Sequence, residues 1–170
     1  MSMRTITTKT PTETKKIASL LAKTALHVSG PRPLVIALVG NLGVGKTAFA
    51  QGFAKGCGIK EKVRSPTFVL MKTYRIRKNV SSSLRQFARL IHIDCYRLNT
   101  PRELLHIGFA EVKRDQHAII LIEWADRIKK ILPKDTAWIR FAHGQKINER
   151  SIAMETGIWE RGRRGIRIRK

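Results

Sequence analysis

Residues 40–47 read Gly-Asn-Leu-Gly-Val-Gly-Lys-Thr, placing a lysine and a hydroxyl directly after three spaced glycines. The spacing G-x-x-x-x-G-K-T suits one chemistry, the holding of nucleotide phosphates. With no Cβ at Gly40, Gly43 and Gly45, the backbone can curl so that successive N–H groups point at an anion. A helix that starts at the loop adds the positive end of its dipole. In this reading the backbone of Asn41, Leu42, Gly43, Val44 and Gly45 forms the cradle. Lys46 bridges the β- and γ-phosphates, and the Thr47 hydroxyl ligates Mg²⁺.

Such a loop needs an acid to help hold the metal, normally at the carboxyl end of a neighbouring buried strand. Two residues qualify. Glu123 ends the run Ile119-Ile120-Leu121-Ile122, and Asp94 ends Leu90-Ile91-His92-Ile93. An unpaired carboxylate after such a run would be costly, so a metal or water partner is expected for each. Ser65-Pro66-Thr67-Phe68 carries hydroxyls suited to water or metal ligation on a turn stiffened by Pro66. From the residues alone it reads as an ordinary loop as readily as a switch segment. The histidines His27, His92, His106, His117 and His143 show no metal-ligand spacing and read as structural or surface residues. No Gly-x-Ser-x-Gly elbow occurs. The Asp-x-x-Gly and Asn-Lys-x-Asp motifs of Ras-type GTPases are absent, which favours adenine over guanine.

The elements that must position these residues follow from pattern. Leu34–Val39 is an unbroken apolar run and reads as a buried strand feeding the loop; a helix follows from Thr47 to about Gly56. Upstream, Thr10-Pro11-Thr12-Glu13 is a helix start, with Thr10 as N-cap, Pro11 as first helical residue and Glu13 as capping-box partner. That helix runs through Leu26 and is stopped by Gly30-Pro31-Arg32-Pro33. Strands are expected at 69–74 and 90–96, with a hairpin loop at 77–86 between them. A short helix from Pro101, capped by Thr100 and stopped by Gly108, comes next. A buried strand at 118–123, a helix at 125–132 and strands at 137–142 and 151–154 complete the pattern. This alternation argues for an α/β fold: a P-loop NTPase-like mixed, mainly parallel sheet with helices on both faces.

The 170 residues are enough for one domain with a real core. Residues 1–158 are expected to form a single P-loop ATPase domain, and 159–170 a flexible basic tail, Arg161 to Lys170. Cys57 and Cys95 lack C-x-x-C spacing and read as buried small hydrophobes. Met1–Thr10 has no apolar stretch, and the runs at 34–39 and 118–122 are too short to span a bilayer. A cytoplasmic protein with no membrane association is therefore expected. Lys and Arg total 34 against 12 acids, a formal charge of +22, which attracts polyanions. Aromatics are only 6 %, and no RNA-binding motif accompanies the basic residues.

Five segments together resemble one family. They are Gly40-Asn-Leu-Gly-Val-Gly-Lys-Thr47, Val63-Arg-Ser-Pro-Thr-Phe68, His92-Ile-Asp-Cys-Tyr-Arg-Leu98, Pro101-Arg-Glu-Leu-Leu105 and Leu121-Ile-Glu-Trp-Ala-Asp-Arg127. In order and spacing they are similar to the TsaE (YjeE) family, small P-loop ATPases of bacterial tRNA threonylcarbamoyladenosine (t6A) synthesis. The resemblance covers about residues 10–135. It implies binding of ATP and Mg²⁺, slow hydrolysis to ADP, and docking on TsaD and TsaB, the heterodimer that transfers threonylcarbamoyl to a tRNA adenosine. It implies that Lys46 holds the β- and γ-phosphates and that Thr47 and Glu123 hold Mg²⁺. Asp94 becomes the water-orienting or general-base group, Thr67 the switch hydroxyl and Trp124 a functional aromatic beside the site. Thr10 falls near where the family receives the adenine.

The chain departs from the family pattern at Asn41, Val44 and Cys95, and its loop at 77–86 is longer and more basic; no motif residue is lost. tRNA contact through the basic surface is an expectation from charge alone. Two other classes compete with this reading. A small-molecule P-loop kinase would use Arg75 to Arg85 as a lid. A nucleic-acid-binding protein would carry the nucleotide site as a secondary feature.

Overall fold

The computed structural model describes residues 3–28, 30–76 and 87–155. Its centre is the strand β2 (Leu34–Val39), every residue of which is buried. A strand that reads apolar on both faces must lie between two layers. Beside it run β5 (Ala118–Glu123), also buried throughout, and β6 (Ala137–His143). The other strands are β1 (Met3–Thr8), β3 (Met71–Arg75), β4 (Arg89–Asp94) and β7 (Arg150–Glu155). Together they form one seven-stranded sheet in the order β1-β7-β6-β2-β5-β4-β3. The four central strands, β6, β2, β5 and β4, are mutually parallel. The pairings at the edges, β1 with β7, β7 with β6 and β4 with β3, are antiparallel.

Helices cover both faces, as the sequence pattern predicts. On one face α1 (Pro11–Ala25) and α2 (Lys46–Gly56) pack over Ile36, Leu38, Leu90, Ile119 and Leu121. On the other, Val35, Ala37, Ile91, Ile93, Ile120 and Ile122 meet the segment from α3 (Pro101–Leu104) to α4 (Ala110–Val112). That layer is completed by a 3-10 helix at Ala125–Ile131, where a regular helix is expected from sequence; the turn breaks at Ile128 (φ −121°). Between α3 and α4 the chain widens into a π-turn in which Gly108 takes φ +91°, so the expected stop at Gly108 is a kink.

Other differences are local. The Thr10 hydroxyl accepts from the Glu13 N–H at 3.1 Å, as an N-cap should. The Glu13 carboxyl reaches past Thr10 to the Lys9 N–H at 2.8 Å, so the box closes one residue early. The strand expected from residue 69 begins at Met71, because Leu70 turns with φ +60°. β1 has no counterpart in the sequence reading: Met3, Arg4, Thr5 and Thr7 are exposed, only Ile6 and Thr8 turn inward, and its ladder to β7 defines it. Cys57 and Cys95 are both buried and free, as expected. Among the described residues no helix is long and apolar enough to cross a membrane. The expected hairpin loop, the alternative arginine lid beyond Arg75 (which ends β3) and the boundary of the basic tail lie outside the described residues.

The two helices over the first face touch through glycine. A Cβ at Gly52 would stand 2.3 Å from the Lys15 carbonyl oxygen, and one at Gly56 would stand 2.4 Å from that of Ser19. Such a contact leaves no room for a methyl group, and overpacking of this kind costs about 1–3 kcal/mol. Alanine would regain about 1 kcal/mol of helix propensity. Gly52→Ala should therefore lower the denaturation midpoint; a stabilised variant would contradict the close approach of α1 and α2.

Candidate functional site

Because β4, β2 and β5 run parallel, their carboxyl ends emerge together at one edge of the sheet. Residues 40–45 leave β2 there and turn into α2. Glycine is required at two points of the turn. Gly40 takes φ +142°, and a Cβ on it would lie 2.4 Å from the Phe141 carbonyl oxygen; Gly45, the residue before α2, takes φ +101°. No side chain caps α2, so its first N–H groups remain available to an anion. Val44 is buried and anchors the loop, while Asn41, Leu42 and Gly43 are exposed.

Lys46 lies behind this loop, only 5 % exposed. Its Nζ donates to the Gly40 and Asn41 carbonyls at 2.6 and 2.8 Å, and sits 3.8 Å from the centre of the Trp124 ring. Burial holds the ammonium below its ordinary pKa, and Glu123, Asp126 and Asp94 pull it back upward. Trp124 reaches this position from a left-handed turn (φ +58°) immediately after β5. Its ring meets Tyr96 at 5.0 Å.

The two strand-end acids stand side by side, Asp94 opposite Glu123 in the β4–β5 register. Each is nearly inaccessible and each is fully engaged. Glu123 Oε2 accepts from the Thr47 hydroxyl at 2.8 Å, and its Oε1 bonds His92 Nε2 at 2.9 Å. Asp94 Oδ2 accepts from the Ser65 hydroxyl and from the Thr67 hydroxyl at 2.7 Å, and Oδ1 accepts from the Tyr96 N–H at 2.9 Å. Lys46, Thr47, Thr67, Asp94, Glu123 and Trp124 thus line one cleft of about 390 Å³. Thr10 lies apart from them. It lines a second cleft of about 350 Å³ with Lys9, Asn148 and Arg150, which shares Gly43, Gly45 and Ala48 with the first. The two clefts meet across the glycine loop.

A hydroxyl and a carboxyl oxygen that already touch are the kind of donors Mg²⁺ takes, since it prefers oxygen ligands and keeps several waters. Among the described residues no three His, Cys, Asp or Glu side chains converge as a metal site. A cation here would complete its shell from phosphate and water.

Three contributors have no individual role in the sequence reading, although Ser65 lies in the hydroxyl-bearing segment it names. His92 was read with the other histidines, yet it is wholly buried and bonds Glu123. The signal was its place two residues before Asp94, which puts both on one face of β4. Ser65 latches Asp94 together with Thr67, and the two hydroxyls lie 2.7 Å apart. The Tyr96 backbone N–H carries no sequence signature at all.

The family model for the threonylcarbamoyl adenosine biosynthesis protein TsaE matches residues 8–152. The tRNA threonylcarbamoyladenosine biosynthesis protein TsaE of Bacillus subtilis is 38 % identical over 128 residues, 75 % of this chain and 70 % of its own. The Rickettsia felis protein of that name is 38 % identical over 121 residues, 71 % of this chain; the match spans only 61 % of the relative's length. The crystal structure of Bacillus subtilis YdiB superposes with a TM-score of 0.69 at 30 % identity, covering 96 % of this chain and 95 % of that one.

Two outcomes follow from the burial of these groups. His92→Phe leaves Glu123 Oε1 without a donor and should cost about 1–3 kcal/mol in denaturant titration. His92→Gln, whose amide N–H has similar reach, should recover part of the loss; a Phe variant as stable as wild type would refute the bond. Burial, reinforced by Asp94 and Asp126, pushes the Cys95 thiol up to about 12. A thiol raised this far in the folded state favours folding at neutral pH. That contribution is lost as pH rises from the ordinary thiol range toward 12. Native protein at pH 8 should resist iodoacetamide at Cys95, and rapid labelling without unfolding would contradict the assignment.

Proposed function

The chain belongs to the TsaE family of threonylcarbamoyl adenosine biosynthesis proteins, and from that premise we propose that it is an accessory ATPase of tRNA modification. It binds ATP with Mg²⁺, hydrolyses it slowly to ADP, and sustains threonylcarbamoyl transfer to a tRNA adenosine by the TsaB–TsaD complex. The observation that carries the proposal is the 2.8 Å contact between the Thr47 hydroxyl and Glu123 Oε2. It joins the glycine loop to a buried strand-end acid, as a metal-assisted phosphate site requires.

Position supports the following roles. Backbone N–H groups from Gly43 to Lys46, with the start of α2, receive the β-phosphate. Lys46 exchanges its carbonyl partners for β- and γ-phosphate oxygens, and Trp124 limits where its ammonium can go. Thr47 and Glu123 offer the oxygens for Mg²⁺, which when bound neutralises charge on the transferring phosphoryl group. Asp94 orients the attacking water and accepts its proton as the bond from the γ-phosphorus to the ADP oxygen breaks. Both hydroxyls now on Asp94 Oδ2 occupy the place where that water would bond, so Ser65 or Thr67 must share or yield it. The second cleft, with Thr10, receives the adenosine end of the nucleotide.

The decisive measurement is multiple-turnover threonylcarbamoyl transfer by TsaB–TsaD, with no addition, with this protein and ATP, and with its Lys46→Ala form. Turnover beyond one product per complex is expected only with the intact protein. Equal behaviour in all three would refute the accessory role. In parallel, Lys46→Ala should abolish nucleotide binding. Glu123→Ala should lower Mg²⁺-dependent hydrolysis at least about tenfold while some nucleotide binding remains. Unchanged hydrolysis would remove Glu123 from the metal site.

A further inference from the structure

At the opposite end of the sheet lies a cleft of about 340 Å³ that the nucleotide site does not use. Arg32 and Pro33 enter it from the loop before β2. Lys113 and Arg114 come from the turn after α4, and Lys134 and Asp135 from the turn before β6. Four cations from three chain segments therefore face one acid over a floor that includes Ile131 and Leu132. Arg32, Arg114 and Lys134 are exposed and Lys113 is half-buried.

The positive charge is not neutralised locally. Among the described residues none of the four cations forms an ion pair. The next acid along the chain, Asp115, is already taken: its Oδ2 pairs with Arg89 at 2.7 Å, and its Oδ1 accepts from the His117 N–H. Like charges gathered on one surface oppose folding unless a counter-charge answers them. A ligand that supplies several negative charges close together complements this cleft best.

Position adds a second constraint. Pro33 and Gly40 bracket β2, whose six residues span about 20 Å. The cleft thus sits a full strand length from the phosphate loop, and both can be filled at once. We propose that this basic cleft docks the phosphate backbone of RNA, independently of the nucleotide site. RNA is chosen over an acidic protein because it presents phosphates at regular short spacing and because the family's relatives are tRNA threonylcarbamoyladenosine biosynthesis proteins; in that respect the proposal rests on the family reading.

The test is fluorescence anisotropy of a labelled tRNA transcript titrated with the full chain from 50 to 300 mM KCl. Wild type is compared with a cleft variant carrying Arg32→Ala, Lys113→Ala, Arg114→Ala and Lys134→Ala. An equal-charge control carries Arg4→Ala, Lys16→Ala, Lys23→Ala and Lys60→Ala, all at exposed positions. Each lost phosphate contact lowers the salt slope by about 0.7–1. The cleft variant should lose on the order of tenfold in affinity at 100 mM salt and about 3 units of slope, and the control should lose much less. Equal losses in both would assign RNA binding to diffuse charge and overturn the cleft. So would a cleft variant that binds tRNA like wild type. Cleft-dependent binding of polyglutamate without cleft-dependent binding of tRNA would assign the surface to an acidic protein and overturn the RNA proposal. Circular dichroism and binding of fluorescent ADP accompany each variant. If the fourfold variant misfolds, the exposed single changes Arg114→Ala and Lys134→Ala should each remove about one unit of slope, and no change in either overturns the proposal. Loss of ADP binding in wild type with tRNA binding intact would refute the nucleotide reading and leave the cleft standing.

Discussion

Two carboxyl groups buried side by side at the ends of parallel strands impose the terms on this molecule. Asp94 and Glu123 face each other in the β4–β5 register and are 3 % and 2 % exposed. A buried acid without partners is costly, and two adjacent ones repel, so the surrounding chain must satisfy both. It does so with parts drawn from distant positions. Thr47 comes from the start of α2, His92 from β4 itself, and Ser65 and Thr67 from the connection between α2 and β3. The glycine loop and the 65–67 segment are therefore brought to the strand ends by the same requirement. A phosphate loop and a hydroxyl-bearing segment at one edge are what satisfying two buried acids looks like.

The frame that holds α2 in place is steric. α2 can present its N-terminus to the cleft only if it lies flat on α1 and the sheet. Gly52 and Gly56 permit the two helix backbones to approach until carbonyl oxygens fill the space a methyl group would occupy. At the other side of the loop, Gly40 rests on the Phe141 carbonyl of β6. The loop is thus clamped between a helix pair and a neighbouring strand, which holds its N–H groups in a fixed arrangement.

Much of this was legible because it is local. The phosphate loop is a contiguous string whose glycines have one geometric use, and β2 and β5 are unbroken apolar runs that only a doubly covered parallel strand accommodates. The Thr10 cap and the Gly108 break are likewise written in adjacent residues. What stayed hidden depends on pairing across the chain. β1 turns only Ile6 and Thr8 inward, so the β-branched run Thr5–Thr8 is a weak signal in the sequence and its ladder to β7 defines the strand. His92 gives no metal-ligand spacing, and its meaning comes from Glu123 thirty-one residues away. The glycines of α2 look like weak points in a helix when read alone; they are contact points only once α1 is across from them. The 3-10 segment 125–131 begins from a left-handed Trp124 whose ring contacts Lys46 and Tyr96, contacts that no local pattern of residues announces.

The scarcity of acids gives the surface its character. With 12 acids against 34 basic residues, each acid that serves structure is withdrawn from pairing with a cation. Glu13 and Glu103 bind backbone N–H groups at the starts of α1 and α3, and Glu149 does the same for Lys146. Asp94 and Glu123 are committed to the cleft. Among the described residues, Asp115 is the one acid in an ion pair with an arginine or lysine. The fold can therefore be built and the site assembled, but the basic surface cannot be neutralised from within. Small counter-ions can answer diffuse charge, but a concave surface with several cations on one wall gains more from a ligand whose charges are covalently linked, because binding it releases many ions at once. The sheet then has two chemically opposite ends. One has buried acids and open N–H groups, the site proposed for a metal-bound nucleotide. The other has cations that form no ion pair among the described residues, over an apolar floor, and is the surface proposed for a polymer of phosphates.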